Sequence, residues 1–240
     1  MKTSNKLLLG FIGVLFAGML TSNFILKAKY DKIKSEKIEA DEYRTLSKEA
    51  FKYLKVDGTD ANFDSRISVE FAPDYEISSF QDISEFAKIN FKGDTLLVKF
   101  EKIPDSLNIH DGRRLIIRCP SMYSFELQNI DGSMNKFKVS DLIVKLKGSS
   151  SLNVLENQID NLIIEESDSS SCDLNMDYQE EEKGATQSYI NHLKLTLKDR
   201  SSFKADDIPF KTIDPIVGDS ADISLSGASL RPLLKKNVQQ

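Results

Sequence analysis

The sequence predicts an all-β protein: a right-handed parallel β-helix (β-solenoid) preceded by one N-terminal transmembrane helix. Three observations carry this expectation. Apolar and polar residues alternate at period two from about Phe51 onward, a Ser-rich turn returns about every twenty residues in the second half, and an uncharged run of twenty residues lies near the N-terminus. Alternation at period two sends successive side chains to opposite faces of a strand, so one face is buried.

The chain begins with a tail, residues 1–6, bearing Lys2 and Lys6; residues 7–26 then read LLLGFIGVLFAGMLTSNFIL. As a helix rising about 1.5 Å per residue, that run reaches about 30 Å, the thickness of a hydrocarbon core. A cleaved signal peptide shares the positive start and apolar core, but no small-x-small site follows here. Residues 27–50 are charged and lack Gly and Pro, which reads as a helical or flexible stalk. The signals for orientation conflict. Lys27, Lys29, Lys32, Lys34 and Lys37 outweigh Lys2 and Lys6, which by the positive-inside rule favours a cytoplasmic domain; a repetitive β domain argues for export. The expectation is a single-pass protein of the cell inner membrane, with the membrane as partner of its one N-terminal span and the C-terminal domain periplasmic.

Residues 51–230 carry the β domain. Ile67, Val69 and Phe71 alternate with Ser68 and Glu70, and Leu96, Val98 and Phe100 with Leu97 and Lys99. Asp57-Gly58, Gly93-Asp94, Asp111-Gly112 and Asp131-Gly132 mark turns between such runs. Four segments then repeat: LIVKLKGSSSLNV from Leu142, LIIEESDSSSCDL from Leu162, LKLTLKDRSSFKA from Leu193, and the looser DPIVGDSADIS from Asp214. Gly148, Asp168, Asp199 and Gly218 align at one turn position, spaced by 20, 31 and 19 residues, the long gap holding an acidic insertion, Asp177–Gln187. A unit of two short strands cannot bury its apolar face alone, so copies must stack. Stacking at about 4.8 Å gives about eight or nine coils and a length of roughly 40 Å. An antiparallel β-sandwich explains the alternation equally well but not the recurring turn. The N-terminal stalk and the tail, residues 231–240, are candidate caps for the open ends of the stack.

These corners, GSSS at Gly148–Ser151, DSSS at Asp168–Ser171 and RSS at Arg200–Ser202, together with LIIRCPSMYSFEL at Leu115–Leu127 and YLKVDGTDANF at Tyr53–Phe63, resemble the exported bacterial "head GIN" domains, also called "putative auto-transporter adhesins". The resemblance covers about Phe51 to Gly227 and is compositional. The chain departs from it by placing Asp168 and Asp199 where a corner Gly is usual, and by the acidic insertion. The resemblance implies a β-helix of the cell envelope; an adhesin role inferred from fold is not evidence of function.

Charge and side-chain chemistry narrow the function. The net charge is −5, so no basic excess exists to neutralise phosphates, and no nucleic-acid partner is expected. Cys119 and Cys172 read as buried free thiols, with a bridge or a reactive thiol as alternatives. His110 and His192 are the sole histidines and lack a second ligand at metal spacing. No Gly-x-Ser-x-Gly elbow surrounds Ser150 or Ser170, so these serines read as structural. Asp131, Asp168, Asp199, Asp219 and Asp222 would attract Ca²⁺ if stacked along one corner, but ordinary turn aspartates are the simpler reading. Polysaccharide-active solenoid enzymes use two carboxylates about one water apart on a face with Asp, Arg or Lys, and Arg113, Arg114 and Arg118 could line such a face with acidic neighbours. The expectation is therefore a non-enzymatic, membrane-anchored envelope module with a binding, adhesion-like or structural surface, with no catalytic, cofactor or metal residue assigned and no cofactor. The alternative is a carbohydrate-active β-helix enzyme or a glycan-binding protein.

Overall fold

The computed structural model describes residues 18–19, 21–29, 43–61, 66–102, 114–175 and 188–237. It forms two compact units, Met1–Glu42 and Tyr43–Gln240. In the first, residues 18–19 and 21–29 are helical, and Phe24, Ile25 and Leu26 are largely exposed.

The second unit contains two sheets whose buried faces share one hydrophobic core. Its regular part alternates between them. Strands β8 (Ser124–Gln128), β10 (Lys138–Lys147), β12 (Gln158–Glu166), β14 (Tyr189–Leu197) and β16 (Phe210–Val217) follow one another in the eight-stranded sheet. Strands β9 (Asp131–Asn135), β11 (Ser151–Leu155), β13 (Ser171–Asn175), β15 (Ser202–Asp206) and β17 (Asp222–Ser226) do so in the nine-stranded sheet. Every neighbouring pair in this part is parallel.

The N-terminal part breaks the order. Strands β2 (Tyr53–Asp57) and β3 (Arg66–Phe71) come early in the chain, yet they occupy the layer between β6 (Thr95–Phe100) with β7 (Arg114–Cys119) and β8 with β9. Strand β5 (Ala87–Lys92) is antiparallel to β6, β1 (Tyr43–Ser47) is antiparallel to β4 (Glu76–Phe80), and β4 is antiparallel to β7. A short helix, α1 (Gln81–Ser84), follows β4. Strand β1 falls within the stretch whose charged composition reads as a stalk.

These observations correct the expected fold class. The chain is not a simple right-handed parallel β-helix behind a transmembrane helix. It forms two sheets of mixed pairing, and among the described residues no helix is long and apolar enough to cross a membrane. The expected span, 7–26, lies mostly outside the described residues, and only its end is seen as helix. The departure in pairing has a local cause. Gly93-Asp94 is the whole connection between β5 and β6, and Gly93 takes φ 58°. A two-residue loop can join only antiparallel strands, because a parallel crossover needs a dozen residues or more. The stack is also shorter than expected: seven layers contain one strand from each sheet, with β5, β4 and β1 added at one end.

Register explains the core. Val98, Val56, Leu127, Leu146, Glu166, Leu197 and Val217 occupy equivalent places on successive strands of the eight-stranded sheet. A second column runs Leu96, Leu54, Phe125, Val144, Ile164, Leu195. Across the core, Leu115, Ile67, Gly132, Leu152, Cys172 and Phe203 form a column of the other sheet. Each fully buried aliphatic or aromatic side chain stabilises the fold by about 1.5–3 kcal/mol. Cys119 and Cys172 are free and buried within this packing. Burial pushes the Cys119 thiol up to about 12 and the Cys172 thiol well above its usual 9.0, with the charges of Glu166 and Asp173 adding to the second shift. Neither is a nucleophile at neutral pH.

The corners are built from left-handed residues and buried polar staples. Asn129, Gly148, Asp168 and Asp199 share one register place and have φ between 49° and 65°. By the same register the fourth equivalent of Gly148 is Asp219, one residue beyond Gly218. Ser150 Oγ donates to the Lys147 carbonyl at 2.7 Å, while Ser170 Oγ and Ser201 Oγ accept the Ser167 and Lys198 amides, both at 3.1 Å. On the opposite corner the buried Asn157 accepts the Phe137 amide at 2.8 Å and donates to the Met134 carbonyl at 3.0 Å. At the C-terminal end, a 3-10 turn (Gly227–Leu230) takes the place of a further layer. Its Ser229 hydroxyl both accepts from the Ile208 amide and donates to the Ile208 carbonyl, each at 2.9 Å. Helix α2 (Arg231–Asn237) then packs on β16.

Two expected outcomes follow from the corner and the core. Gly148→Ala adds a Cβ at positive φ that would strike the Asn129 side chain, which itself accepts the Ser149 amide. It should lower stability by about 1–2 kcal/mol, whereas Asp168→Gly, at an equivalent φ of 59°, should change it by less than about 1 kcal/mol; paired urea denaturation curves check the contrast. Glu166 stands in an apolar column, is 2% exposed, and neither carboxyl oxygen has a hydrogen-bond partner among the described residues. Burial pushes its carboxyl from the ordinary 4.5 up to about 8. Between those values the unfolded chain has released the proton and the folded chain retains it, so stability is full below about pH 4.5 and falls by about 1.4 kcal/mol per unit up to about pH 8. Glu166→Leu should remove that slope and stabilise the domain by about 4 kcal/mol at pH 7.5, three units at about 1.4 kcal/mol each; an unchanged slope in denaturant midpoints across pH 5–8 would contradict it.

Candidate functional site

Among the described residues, those singled out in the sequence do not converge on one centre. Ser150 and Ser170 are corner staples, with hydroxyls committed to backbone groups. His192 is exposed, with Nδ1 2.8 Å from Thr212 Oγ1, in a surface row with Asp141 and Asn161. Asp168, Asp199 and Asp219 share a register place, but Asp131 and Asp222 belong to another row, separated by Ser151, Ser171 and Ser202. The five aspartates therefore form no single line, and among the described residues no group of three His, Cys, Asp or Glu is arranged to hold a metal ion. Arg118 is engaged by Glu70 at 3.3 Å and Glu76 at 3.4 Å. The Thr45 hydroxyl and the Arg118 guanidinium hold Glu76 below its usual range. His110, Arg113 and the insertion Asp177–Gln187 lie outside the described residues.

The structure instead brings together residues that sequence reasoning did not select. The connection from β7 to β8, Pro120–Tyr123, must pass the layer formed by β2 and β3. It is fixed there by backbone hydrogen bonds: the Tyr123 amide donates to the Lys52 carbonyl at 2.9 Å, and the Tyr123 carbonyl accepts the Ile143 amide at 3.0 Å. This places Tyr123 beside Tyr53, ring centroids 5.8 Å apart and 77° between planes, in the edge-to-face arrangement aromatic rings prefer. Tyr53 is 38% and Tyr123 48% exposed. Alongside lies a cleft of about 370 Å³, whose polar lining comes from Lys52, Lys138, Ser121, Ser140 and Asp141 and whose apolar lining comes from Met122 and Val139.

The electrostatics of the cleft are balanced. Lys52 Nζ lies 2.7 Å from Asp94, whose hydrogen bond and charge raise the amine above 10.5. Asp141 accepts from Asn161 at 2.9 Å. The neighbouring outer face of the eight-stranded sheet is likewise paired. Glu126 lies between Lys55 and Lys147, 2.9 Å from each. Burial pushes its carboxyl up, but the hydrogen bonds from the two lysines outweigh that and hold it below the usual range. Lys145 and Glu165 pair at 2.8 Å. Such exposed pairs contribute at most about 1 kcal/mol each. The arrangement can hold a polar ligand against an aromatic edge. Tyr53 and Tyr123 are 70 residues apart in sequence, and no spacing signal links them.

No protein-family model matches the chain. No curated protein matches it either. Among solved structures, it is similar to a "putative adhesin" from Parabacteroides distasonis at 14% identity, covering 78% of this chain and 76% of that one with a TM-score of 0.58. A "putative adhesin" from Bacteroides fragilis matches at 10% identity over 77% of this chain and 96% of that one, TM-score 0.42. A "Putative lipid binding protein" from Parabacteroides distasonis matches at 10% identity over 78% and 94%, TM-score 0.39. At these identities the first likeness establishes a shared fold.

Proposed function

We propose that the β domain is a non-catalytic binding module of the cell envelope that holds a glycan against the Tyr53–Tyr123 edge. The observation that carries this reading is the exposed, mutually packed tyrosine pair beside a cleft lined by amines, hydroxyls and one carboxylate. Tyrosine offers an apolar ring to the C–H face of a sugar and a hydroxyl to its polar edge, at low entropic cost. The description of the Parabacteroides distasonis neighbour of the same fold as a "putative adhesin" fits a surface that binds. Hydrolysis of a glycosidic bond calls for two carboxyl groups flanking one position. Asp141 is the sole carboxylate among the described residues of this cleft, and this favours binding over cleavage.

The envelope placement rests on the N-terminus. Residues 7–26 carry no charge, and Phe24, Ile25 and Leu26 expose more than half their surface on helix 21–29, an arrangement that water penalises and a lipid phase relieves. We read this segment as membrane-associated, with the C-terminal domain on the periplasmic side of the cell inner membrane.

Two experiments test these readings. The full chain in neutral detergent should retain members of a neutral oligosaccharide panel, and Tyr53→Ala/Tyr123→Ala should weaken that retention about tenfold or more, the loss of two aromatic contacts of about 0.5–1.5 kcal/mol each; equal retention by the double variant would refute the site. Protease added to intact spheroplasts should digest the domain, and protection would place it on the cytoplasmic side.

A further inference from the structure

The cleft beside the tyrosine pair exists because two neighbouring strands differ in length. Strand β10 has ten residues and β8 five, and the two pair only from Ile143 with Ser124 onward. Residues 138–142 therefore border the connection 120–123 in place of a strand. The geometry points to an N-acetylated amino sugar as the ligand of this cleft, its acetamido group pairing with the backbone of Asp141 and its methyl resting on Met122 and Val139. This inference rests on the tyrosine-edge reading and names the class of sugar that edge selects.

Register decides which backbone groups face the cleft. Along a parallel strand, alternate residues turn both N–H and C=O to one neighbour, and the residues between turn theirs to the other. The Leu146 carbonyl accepts the Ser167 amide at 3.0 Å, so Leu146 faces β12. The Lys147 carbonyl accepts the Asn129 amide at 3.2 Å and the Ile143 amide donates to the Tyr123 carbonyl at 3.0 Å, so these residues face the side of β8. Pairing with β12 runs unbroken from Asp141 to Leu146. Asp141 therefore keeps the phase of Ile143, and its N–H and C=O both point to the side of the cleft. Among the described residues neither group has a backbone partner there, and the Tyr123 amide is already given to the Lys52 carbonyl at 2.9 Å.

One residue thus offers a donor and an acceptor side by side, the arrangement by which a strand edge receives a further amide. A secondary amide is its complement, and on a sugar that amide is the acetamido group. The methyl end of the group meets the apolar part of the lining, the buried Met122 and the half-buried Val139. Tyr123 follows Met122 directly and packs against Tyr53, which sets the aromatic edge beside the same gap. The charges of the cleft favour a neutral group. Lys52 is matched by Asp94, and the amine of Lys138 stands in the same lining as the carboxylate of Asp141. An acetamide adds no charge to that balance, whereas a uronate would meet Asp141 and a free amino sugar would meet the lysines.

The test titrates the full chain, in a neutral detergent without a sugar headgroup, with three disaccharides of one linkage: N,N′-diacetylchitobiose, its unacetylated glucosamine counterpart, and cellobiose. Calorimetry reads the affinities and amide NMR follows Asp141. The diacetylated sugar should bind about tenfold or more tighter than the other two, as two added hydrogen bonds imply, and should shift the Asp141 amide. Asp141→Pro removes an N–H that makes no bond within the domain and should bring the diacetylated sugar to the level of cellobiose, whereas Asp141→Ala keeps the backbone and should keep the preference. Should Asp141→Pro fail to fold, the affinity ratio and the Asp141 shift of the unaltered chain decide. Equal affinity for the diacetylated sugar and cellobiose, lost in Tyr53→Ala/Tyr123→Ala, would overturn the acetamido assignment and leave the tyrosine edge standing; no binding of any of the three would remove both. Tighter binding of the unacetylated sugar would overturn it in favour of recognition by the Asp141 carboxylate, and equal binding of N-acetylalanine methylamide would overturn it in favour of a peptide.

Discussion

The domain depends on parallel register being kept from layer to layer. Strands β8 to β17 pair with the same residue places aligned each time, so a side chain in one layer lies directly under its equivalent in the next. A slip of one residue would turn every inward side chain outward. The corners are what prevent the slip. A left-handed residue at one place of successive corners, and a buried Ser or Asn that closes the backbone beside it, fix the length of each turn. Corner chemistry and core packing thus specify the same alignment, the mutual consistency that gives a sequence one fold.

The consistency fails at one buried position, and the failure is informative. Glu166 occupies the column shared by Leu146 and Leu197, yet carries a carboxyl with no partner among the described residues. Remaining protonated is the least costly state there, which is why its carboxyl is pushed so far upward. The Cys172 thiol near it is itself held protonated. A perturbed group is a reason to look for function; here the surroundings are a packed apolar column, so the shift reports a cost to stability.

Much of the regular half was legible from residues alone. Leu142, Val144, Leu146, Leu152 and Val154 all point inward as alternation requires, and the same holds for Leu193, Leu195, Leu197, Phe203 and Ala205. The turn position at Gly148, Asp168 and Asp199 was readable because left-handed geometry restricts which residues sit there comfortably. In the fourth repeat the Gly misled: Gly218 attracts the alignment, while pairing puts Asp219 in that place. The N-terminal layers were not legible. Alternation in β2, β3, β6 and β7 says that each is half-buried, but not which neighbours it has. The insertion of β2 and β3 between strands that come later is a non-local pairing with no local signature.

That same irregularity explains why the candidate binding surface was hidden. Tyr53 meets Tyr123 because the chain must travel from β7 past an interposed layer to begin β8. A stack laid down in chain order would place equivalent residues side by side, producing ladders of similar groups such as Ser151, Ser171 and Ser202. Interposing an early layer sets unrelated residues beside one another, and this is where two tyrosines become neighbours. The regular half therefore supplies a rigid base, and the topological break supplies chemical variety, a division that puts ligand-facing residues where the repeat does not dictate their identity.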